Sequence, residues 1–208
     1  MRAFESLQGL FITGDIAIDT GELIGIRWHG RGGQGAVTSA ALVAQAAINE
    51  GKFAQAFPSF GPERRGAPVK AFVSISSKEP IKIRAEITEP DIVVVFDPRL
   101  LRIVKVTSGL KEDGMLVINS RRSFTDIEAE FGSNWQLAII DATTIARELL
   151  GVNIVNTTMI GALIKAAGVV KLESLLEPLK KRFGHMAEKN INAMRKAYEE
   201  TKLKEKMG

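Results

Sequence analysis

Gly30, Gly32, Gly33 and Gly35, interleaved with Arg31 and Gln34, place four glycines in six positions. They stand between an apolar, β-prone run (Leu23–Trp28) and an Ala-rich helical run (Ala36–Glu50). Glycines let the chain turn sharply and bring N–H groups close to a ligand without Cβ interference. A helix starting directly behind them adds unpaired N–H groups and the positive end of its dipole. The chemistry this suggests is anion binding, most often of phosphate. The spacing Gly30-x-Gly32-x-x-Gly35 also satisfies the dinucleotide fingerprint. That fingerprint needs an acid at the end of the second strand, about 20 residues on, to hold the ribose. Here the second strand runs into Pro58-Ser59-Phe60-Gly61, and Glu50 comes too early. An NAD site is therefore disfavoured, while an anion-binding turn stands. The alternative is that the glycines serve only tight strand-to-helix packing.

Arg31 lies inside this turn, and Arg64 and Arg65 lie in the loop after the neighbouring strand. Arginine offers a fixed fork for phosphate or carboxylate. The two loops are expected to meet at one edge of a sheet, so the three arginines are candidates for binding a phosphate or lining an active site. They serve equally well as partners of carboxylates such as Glu63 or Glu86, or as interface residues. His29 ends the first strand, where open α/β sheets put ligands; a backbone hydrogen bond that locks the loop is the simpler role. His185 reads as a surface or cap residue. Asp97 and Asp141 also end strands. Both precede helices, so capping accounts for them without acid–base chemistry. No nucleophile–base–orienter set is legible, and no metal-ligand cluster.

A second segment sharpens the reading. Ala56-Phe57-Pro58-Ser59-Phe60-Gly61-Pro62-Glu63-Arg64-Arg65-Gly66-Ala67-Pro68-Val69 holds three prolines, two glycines and an Arg pair. Together with His29–Gly35 it resembles the gamma subunit of the 2-oxoacid:ferredoxin oxidoreductases, above all the pyruvate (pyruvate synthase) and branched-chain (2-ketoisovalerate) enzymes. Glu89–Val95, Asn156–Ala162 and Ala187–Ile191 continue the pattern in order, from about Ile24 to Tyr198. The resemblance implies a subunit of an enzyme that oxidatively decarboxylates a 2-oxoacid, passing the acyl group to coenzyme A and electrons to ferredoxin. It implies partner alpha, beta and delta subunits that carry thiamine diphosphate, Mg2+ and iron–sulfur clusters. The gamma part would support the active site and help position coenzyme A. Two other readings remain: an autonomous nucleotide-binding dehydrogenase, and a purely structural assembly subunit.

Composition sets the outer limits. The 208 residues suit one domain with a sizeable core. Residues 1–21 read as an N-terminal extension outside the resemblance, and 22–208 as a single domain. Hydrophobic residues make up 45% and charged residues 25%, an ordinary balance for a soluble protein. Cysteine is absent, which excludes disulfides and any Cys-ligated cluster in this chain. A net charge of +4 favours anionic ligands or acidic partners without demanding nucleic acid. The strongest apolar run, Ile92–Phe96, is far too short to span a bilayer, and no signal peptide is legible, so the expected location is cytoplasmic.

The pattern predicts an α/β fold: three layers, an open, twisted, mostly parallel, Rossmann-like sheet flanked by helices, with a β-hairpin and a helical C-terminal third. Predicted strands are Leu23–Trp28, Phe53–Phe57, Val69–Ile75, Ile92–Phe96, Met115–Ile118 and Leu137–Ile140. Val69–Ile75 is expected to pair with Ile81–Ala85 as the hairpin, and Ile16–Ile18 could form another with Leu23–Trp28. Predicted helices are Ala36–Glu50, Pro98–Thr107, one capped at Ser123 through Glu130, Ala142–Leu150, and Thr157–Ala167 capped by Asn156. Leu172–Phe183 is kinked or split at Pro178, and a long helix follows Gly184 to about Lys204.

Overall fold

The computed structural model describes residues 23–59 and 66–204. The expected extension, the hairpin at Ile16–Ile18, and Arg64 and Arg65 fall outside these. The first strand, β1 (Leu23–Arg31), continues past Trp28 to Arg31, so half of the glycine motif's residues are built into or next to a strand end. Alternation sends Ile26 and Trp28 into the main core and Arg27, His29 and Arg31 to the other face. A turn over Gly32–Gly35 leads into α1 (Ala36–Asn49), whose mostly buried surface matches its apolar sequence.

Next come β2 (Phe53–Ser59) and β3 (Pro68–Ser76). β3 pairs antiparallel with both β2 and β1, so the hairpin is β2–β3. The expected strand Ile81–Ala85 does not form: both edges of β3 are already taken. Instead the segment 81–88 crosses the face of β1, β3 and β2. Glu86 accepts hydrogen bonds there from Ser59 and, at 3.0 Å, from Lys70. The Arg84 guanidinium stands 5.3 Å from the Phe57 ring centre.

From β1 the sheet extends in parallel through β4 (Ile92–Val95), β5 (Met115–Asn119) and β6 (Gln136–Ile140). Their continuous apolar runs are what a sheet buried on both faces requires. A last strand, β7 (Lys202–Lys204), pairs antiparallel with β6. The sheet order is β2-β3-β1-β4-β5-β6-β7, with only β3 and β7 running against the others. The long C-terminal helix expected to Lys204 therefore stops earlier, as α7 (Ala187–Glu200). Thr201 is extended, and Lys202-Leu203-Lys204 has the alternation of a strand with Leu203 turned to the core.

The other helices are α2 (Leu100–Ile103), α3 (Phe124–Phe131), α4 (Ala142–Leu150), α5 (Asn156–Ala167) and α6 (Leu176–Phe183). Here α2 is much shorter than the predicted Pro98–Thr107, because Val104 turns extended and the carbonyls of Val106 and Ser108 are taken by Arg27. Ser123 and Asp126 close a capping box on α3, and Asp141 caps α4. Asn156 is the first residue of α5 rather than its cap, and its side-chain Oδ1 accepts the Thr157 N–H at 2.8 Å. Pro178 sits in the first turn of α6, where no N–H is needed, and a 3-10 turn at Glu173–Leu175 precedes it.

Helices α1 and α4–α7 cover one face over the larger core, while α2 and α3 cover β4–β6 on the other. The chain thus leaves β1 over one face and β4 over the opposite face. The C-terminal ends of β1 and β4 flank a topological switch point, where open α/β sheets hold ligands.

Candidate functional site

At this switch point the glycine turn is fastened by short bonds. The Gln34 side chain accepts the Arg31 N–H at 2.7 Å, and the Gln34 N–H returns to the Arg31 carbonyl at 3.0 Å. The Gly32 N–H donates to Ala67 at 3.0 Å, so the loop after β2 closes against the turn, as the sequence suggested. Gly33 and Gly35 have φ of 96° and 87°, which a side chain rarely tolerates. A Cβ on Gly35 would also stand 2.9 Å from the Cβ of Asn156. The starts of α1 and α5 therefore touch at Gly35, and Ser39 reinforces the contact by donating to the Asn156 carbonyl at 3.1 Å.

Gly35 caps α1 without a side-chain hydrogen bond, and no acid lies in the first turn. The first N–H groups of α1 therefore have no side-chain partner at the cap, and no charge in the first turn offsets its dipole. Gly30, two residues before the turn, faces Ala36, where a Cβ would come within 3.2 Å. Packing accounts for Gly30, and turn geometry for Gly33 and Gly35.

Arg31 leaves the strand end held at two points. Its Nε donates to the Asp97 carboxylate at 2.7 Å and its Nη1 to the Gly66 carbonyl at 3.1 Å. Asp97, just after β4, is buried, and Arg99 grips the same carboxylate, with Nη2–Oδ2 at 2.8 Å. Burial works to raise the Asp97 pKa, but hydrogen bonds from Arg99 and Arg31 outweigh it and hold the carboxyl below its usual range. Capping explained Asp97 only in part. It accepts the Arg99 N–H at 3.0 Å, and it also ties β1 to β4 across the switch point. One carboxylate shared by two guanidiniums leaves an excess positive charge beside the glycine turn.

The His29 carbonyl accepts the Phe96 N–H at 2.8 Å, which ties the end of β1 to the residue after β4, while its ring is engaged elsewhere. Buried beside Arg27, it accepts the Arg27 Nε–H on Nε2 at 3.1 Å. Burial, then Arg27, then Lys70 lower its pKa to about 3, so it stays neutral and is unsuited to acid–base chemistry near pH 7. Arg27 itself is buried; its other nitrogens donate to the carbonyls of Ile87, Thr88, Val106 and Ser108. Its pKa is lowered by burial, against the pull of Glu86. Sequence reading passed over Arg27, Arg99 and the contact of Asn156 with Gly35. The signal for Arg27 was available: Arg27, His29 and Arg31 alternate in an otherwise apolar strand and so share a face.

Among the described residues no group of three His, Cys, Asp or Glu could hold a metal ion. No helix there is long and apolar enough to cross a membrane. The arrangement is equipped to bind and orient an anion. It shows no nucleophile paired with a base.

A family model described as Pyruvate ferredoxin/flavodoxin oxidoreductase matches residues 25–200. The chain is 52% identical over 183 residues to the pyruvate/ketoisovalerate oxidoreductases common subunit gamma of Pyrococcus furiosus, covering 87% of this chain and 98% of that one. It is 50% identical over 181 residues to pyruvate synthase subunit PorC of Methanothermobacter marburgensis, covering 86% and 98%. Among solved structures, pyruvate oxidoreductase subunit PORC of Thermotoga maritima superposes with a TM-score of 0.81 at 38% identity, covering 89% of this chain and all of that one.

Proposed function

Because the chain belongs to the pyruvate ferredoxin/flavodoxin oxidoreductase family, we propose that it is the gamma subunit of a multi-subunit 2-oxoacid:ferredoxin oxidoreductase, a pyruvate synthase. The complex would convert pyruvate, coenzyme A and oxidised ferredoxin to acetyl-coenzyme A, carbon dioxide and reduced ferredoxin in the cytoplasm. The alpha, beta and delta subunits would carry thiamine diphosphate, Mg2+ and the iron–sulfur clusters. A chain without cysteine has no thiolate for a cluster.

The observation that carries the local role is the shared Asp97 carboxylate. It fixes Arg31 beside a glycine turn at the switch point and leaves positive charge there. The main-chain N–H groups of Gly33 and Gly35 and the Arg31 fork would hold a coenzyme A phosphate group, with Arg64 and Arg65 as further contacts. This positions a substrate for chemistry performed by the other subunits. The gamma subunit of Pyrococcus furiosus is named as common to pyruvate and ketoisovalerate enzymes. That sharing supports a module that handles coenzyme A and leaves the choice of 2-oxoacid to its partners. It also keeps the branched-chain assignment as the second reading.

Reconstitution tests the proposal. The purified chain should be colourless and inactive in 2-oxoacid-dependent electron transfer. Activity and iron–sulfur absorbance should appear only when cysteine-rich and thiamine-diphosphate-binding chains are added. Turnover by the isolated chain, or binding of NAD in place of coenzyme A, would favour the dehydrogenase reading.

A further inference from the structure

The face of the sheet opposite the larger core is covered unequally. There α2 and α3 lie over β4–β6. Over β1, β3 and β2 no helix among the described residues takes that place, and the segment 81–88 is the cover. It covers incompletely. Ile81 and Ile87 are half-buried, whereas Lys82, Ile83, Arg84 and Ala85 stay exposed.

The gap lies at the start of β1, the end away from the glycine turn. Leu23 pairs with Ser76, and Ser76 with Phe53, so the three stand in a row across β1, β3 and β2 on this face. Leu23 keeps 51% exposure and Phe53 41%. Ile83, at 76%, lines a groove of about 230 Å³ together with Leu23, Pro80, Ile81, Ser74 and Ser76. Three of the seven large apolar side chains exposed among the described residues thus gather here. Clustered apolar exposure of this kind marks contact with another molecule.

Charge selects the kind of molecule. Lys82 and Arg84 flank Ile83, and among the described residues neither is ion-paired with a carboxylate; Arg84 lies against the Phe57 ring instead. Glu86 is taken by Ser59 and Lys70, and Glu79 is the one acid in the groove's lining. Lys70, Lys78, Lys82 and Arg84 stand against Glu79 and Glu86, with Glu89 farther on beside Gly109. A second copy of the chain would set this basic rim against itself, which like charges oppose. We infer that this end of the face docks another subunit of the oxidoreductase, one that offers an apolar ridge edged by carboxylates. The ridge covers Leu23, Phe53 and Ile83, and the carboxylates pair with Lys82 and Arg84. The inference rests on the subunit reading and places the contact at the end of the sheet opposite the glycine turn.

Co-expression of the full-length chain with the alpha, beta and delta subunits, followed by gel filtration, tests this. Ile83→Asp should lower retention of the chain in the complex about 10-fold or more. Lys82→Glu should lower it by a smaller factor, and assembly should weaken as salt rises. Ile103→Asp, the same exchange at an exposed isoleucine of α2, should leave assembly unchanged. Thermal midpoints close to wild type show that the isolated variants are folded. Amide exchange across residues 82–85 should slow on assembly. Ile83→Asp retained as well as wild type, or lost no more than Ile103→Asp, would overturn the inference alone. A wild-type chain that joins none of these subunits would overturn the subunit reading and the inference with it. An isolated chain that dimerises, and becomes monomeric in Ile83→Asp, would give the face to a second copy. Faster exchange at 82–85 on removing residues 1–21 from the isolated chain would give the groove to the chain's own N-terminal segment. Either result would overturn the docking of another subunit.

Discussion

Arg27 and Arg31 sit on the same face of the same strand, yet the molecule treats them differently. Arg27, in the interior of β1, spends its guanidinium on His29 and on four carbonyls from two connecting segments. Arg31, at the strand's end, is tied by one carboxylate and one carbonyl, and its side chain keeps 22% exposure. The first is saturated and structural, a cation used to pin loops onto a sheet. Among the described residues the second is anchored but not saturated, which is compatible with the binding role proposed for it. What separates the two arginines here is how many of their donors the fold has already claimed.

The largest effect is expected at Arg27. Arg27→Gln would strand the buried Val106 carbonyl, release that of Ser108 and leave His29 without its donor. A loss of about 2–4 kcal/mol is expected, several degrees in the thermal midpoint, with the glycine turn intact. Denaturant unfolding measures it. A variant as stable as wild type would show that Arg27 is not the pin it looks like, and the contrast with Arg31 would collapse.

The pH dependence of stability sharpens the same side of the comparison. The His29 pKa falls from 6.5 in the unfolded chain to about 3 in the fold. Between those values the unfolded chain binds more protons. Stability should therefore be full above 6.5 and decline as the pH falls towards 3. In His29→Gln, whose amide oxygen can still accept from Arg27, that part of the slope should vanish. An unchanged slope by denaturant titration across this window would show that His29 is not held neutral.

At the strand's end the backbone matters more than charge. Gly35→Ala combines a φ of 87° with a Cβ only 2.9 Å from that of Asn156, whereas Gly33→Ala has a φ of 96° but open space. About 1–3 kcal/mol is expected at Gly35, and less at Gly33, where only conformational strain acts. Equal costs would mean that the contact between α1 and α5 yields freely.

Arg31→Ala should move stability least, by no more than about 1 kcal/mol, because Arg99 continues to pair with Asp97. Its effect should appear instead in the assembled enzyme. The KM for coenzyme A should rise about 10-fold or more, and that for the 2-oxoacid should stay near wild type. If the variant keeps its coenzyme A dependence but dissociates from the complex on gel filtration, Arg31 is an interface residue.

The parallel half of the sheet was legible because Ile92–Phe96, Met115–Ile118 and Leu137–Ile140 are continuous apolar runs that only a doubly covered sheet accommodates. The turn was legible because only glycines suit such backbone angles. Pairing partners were not. Val69–Ile75 alternates correctly for a strand, but alternation cannot tell that β1 and β2 would claim both its edges before Ile81–Ala85 could. At Lys202-Leu203-Lys204, helical momentum from α7 hid a strand of three residues. Asp97 read as a cap because a carboxylate before a helix satisfies that rule locally. Its second task, joining β1 to β4, depends on residues 66 positions apart in the chain.

The insertion of β3 between β1 and β2 constrains how the chain can fold. In the described residues β2 has no strand neighbour other than β3, so β1, α1 and β2 cannot close as an independent unit. The β2–β3 hairpin must dock onto β1 as a block, and pairs such as Leu23 with Ser76 join distant stretches of chain. Contacts of that kind raise the contact order and slow the search for the native state. The same docking event brings Ala67 to Gly32 and Gly66 to Arg31. The glycine turn is thus completed in the slow, nonlocal phase of folding, and changes in the length of the loop between β2 and β3 should register first in the refolding rate.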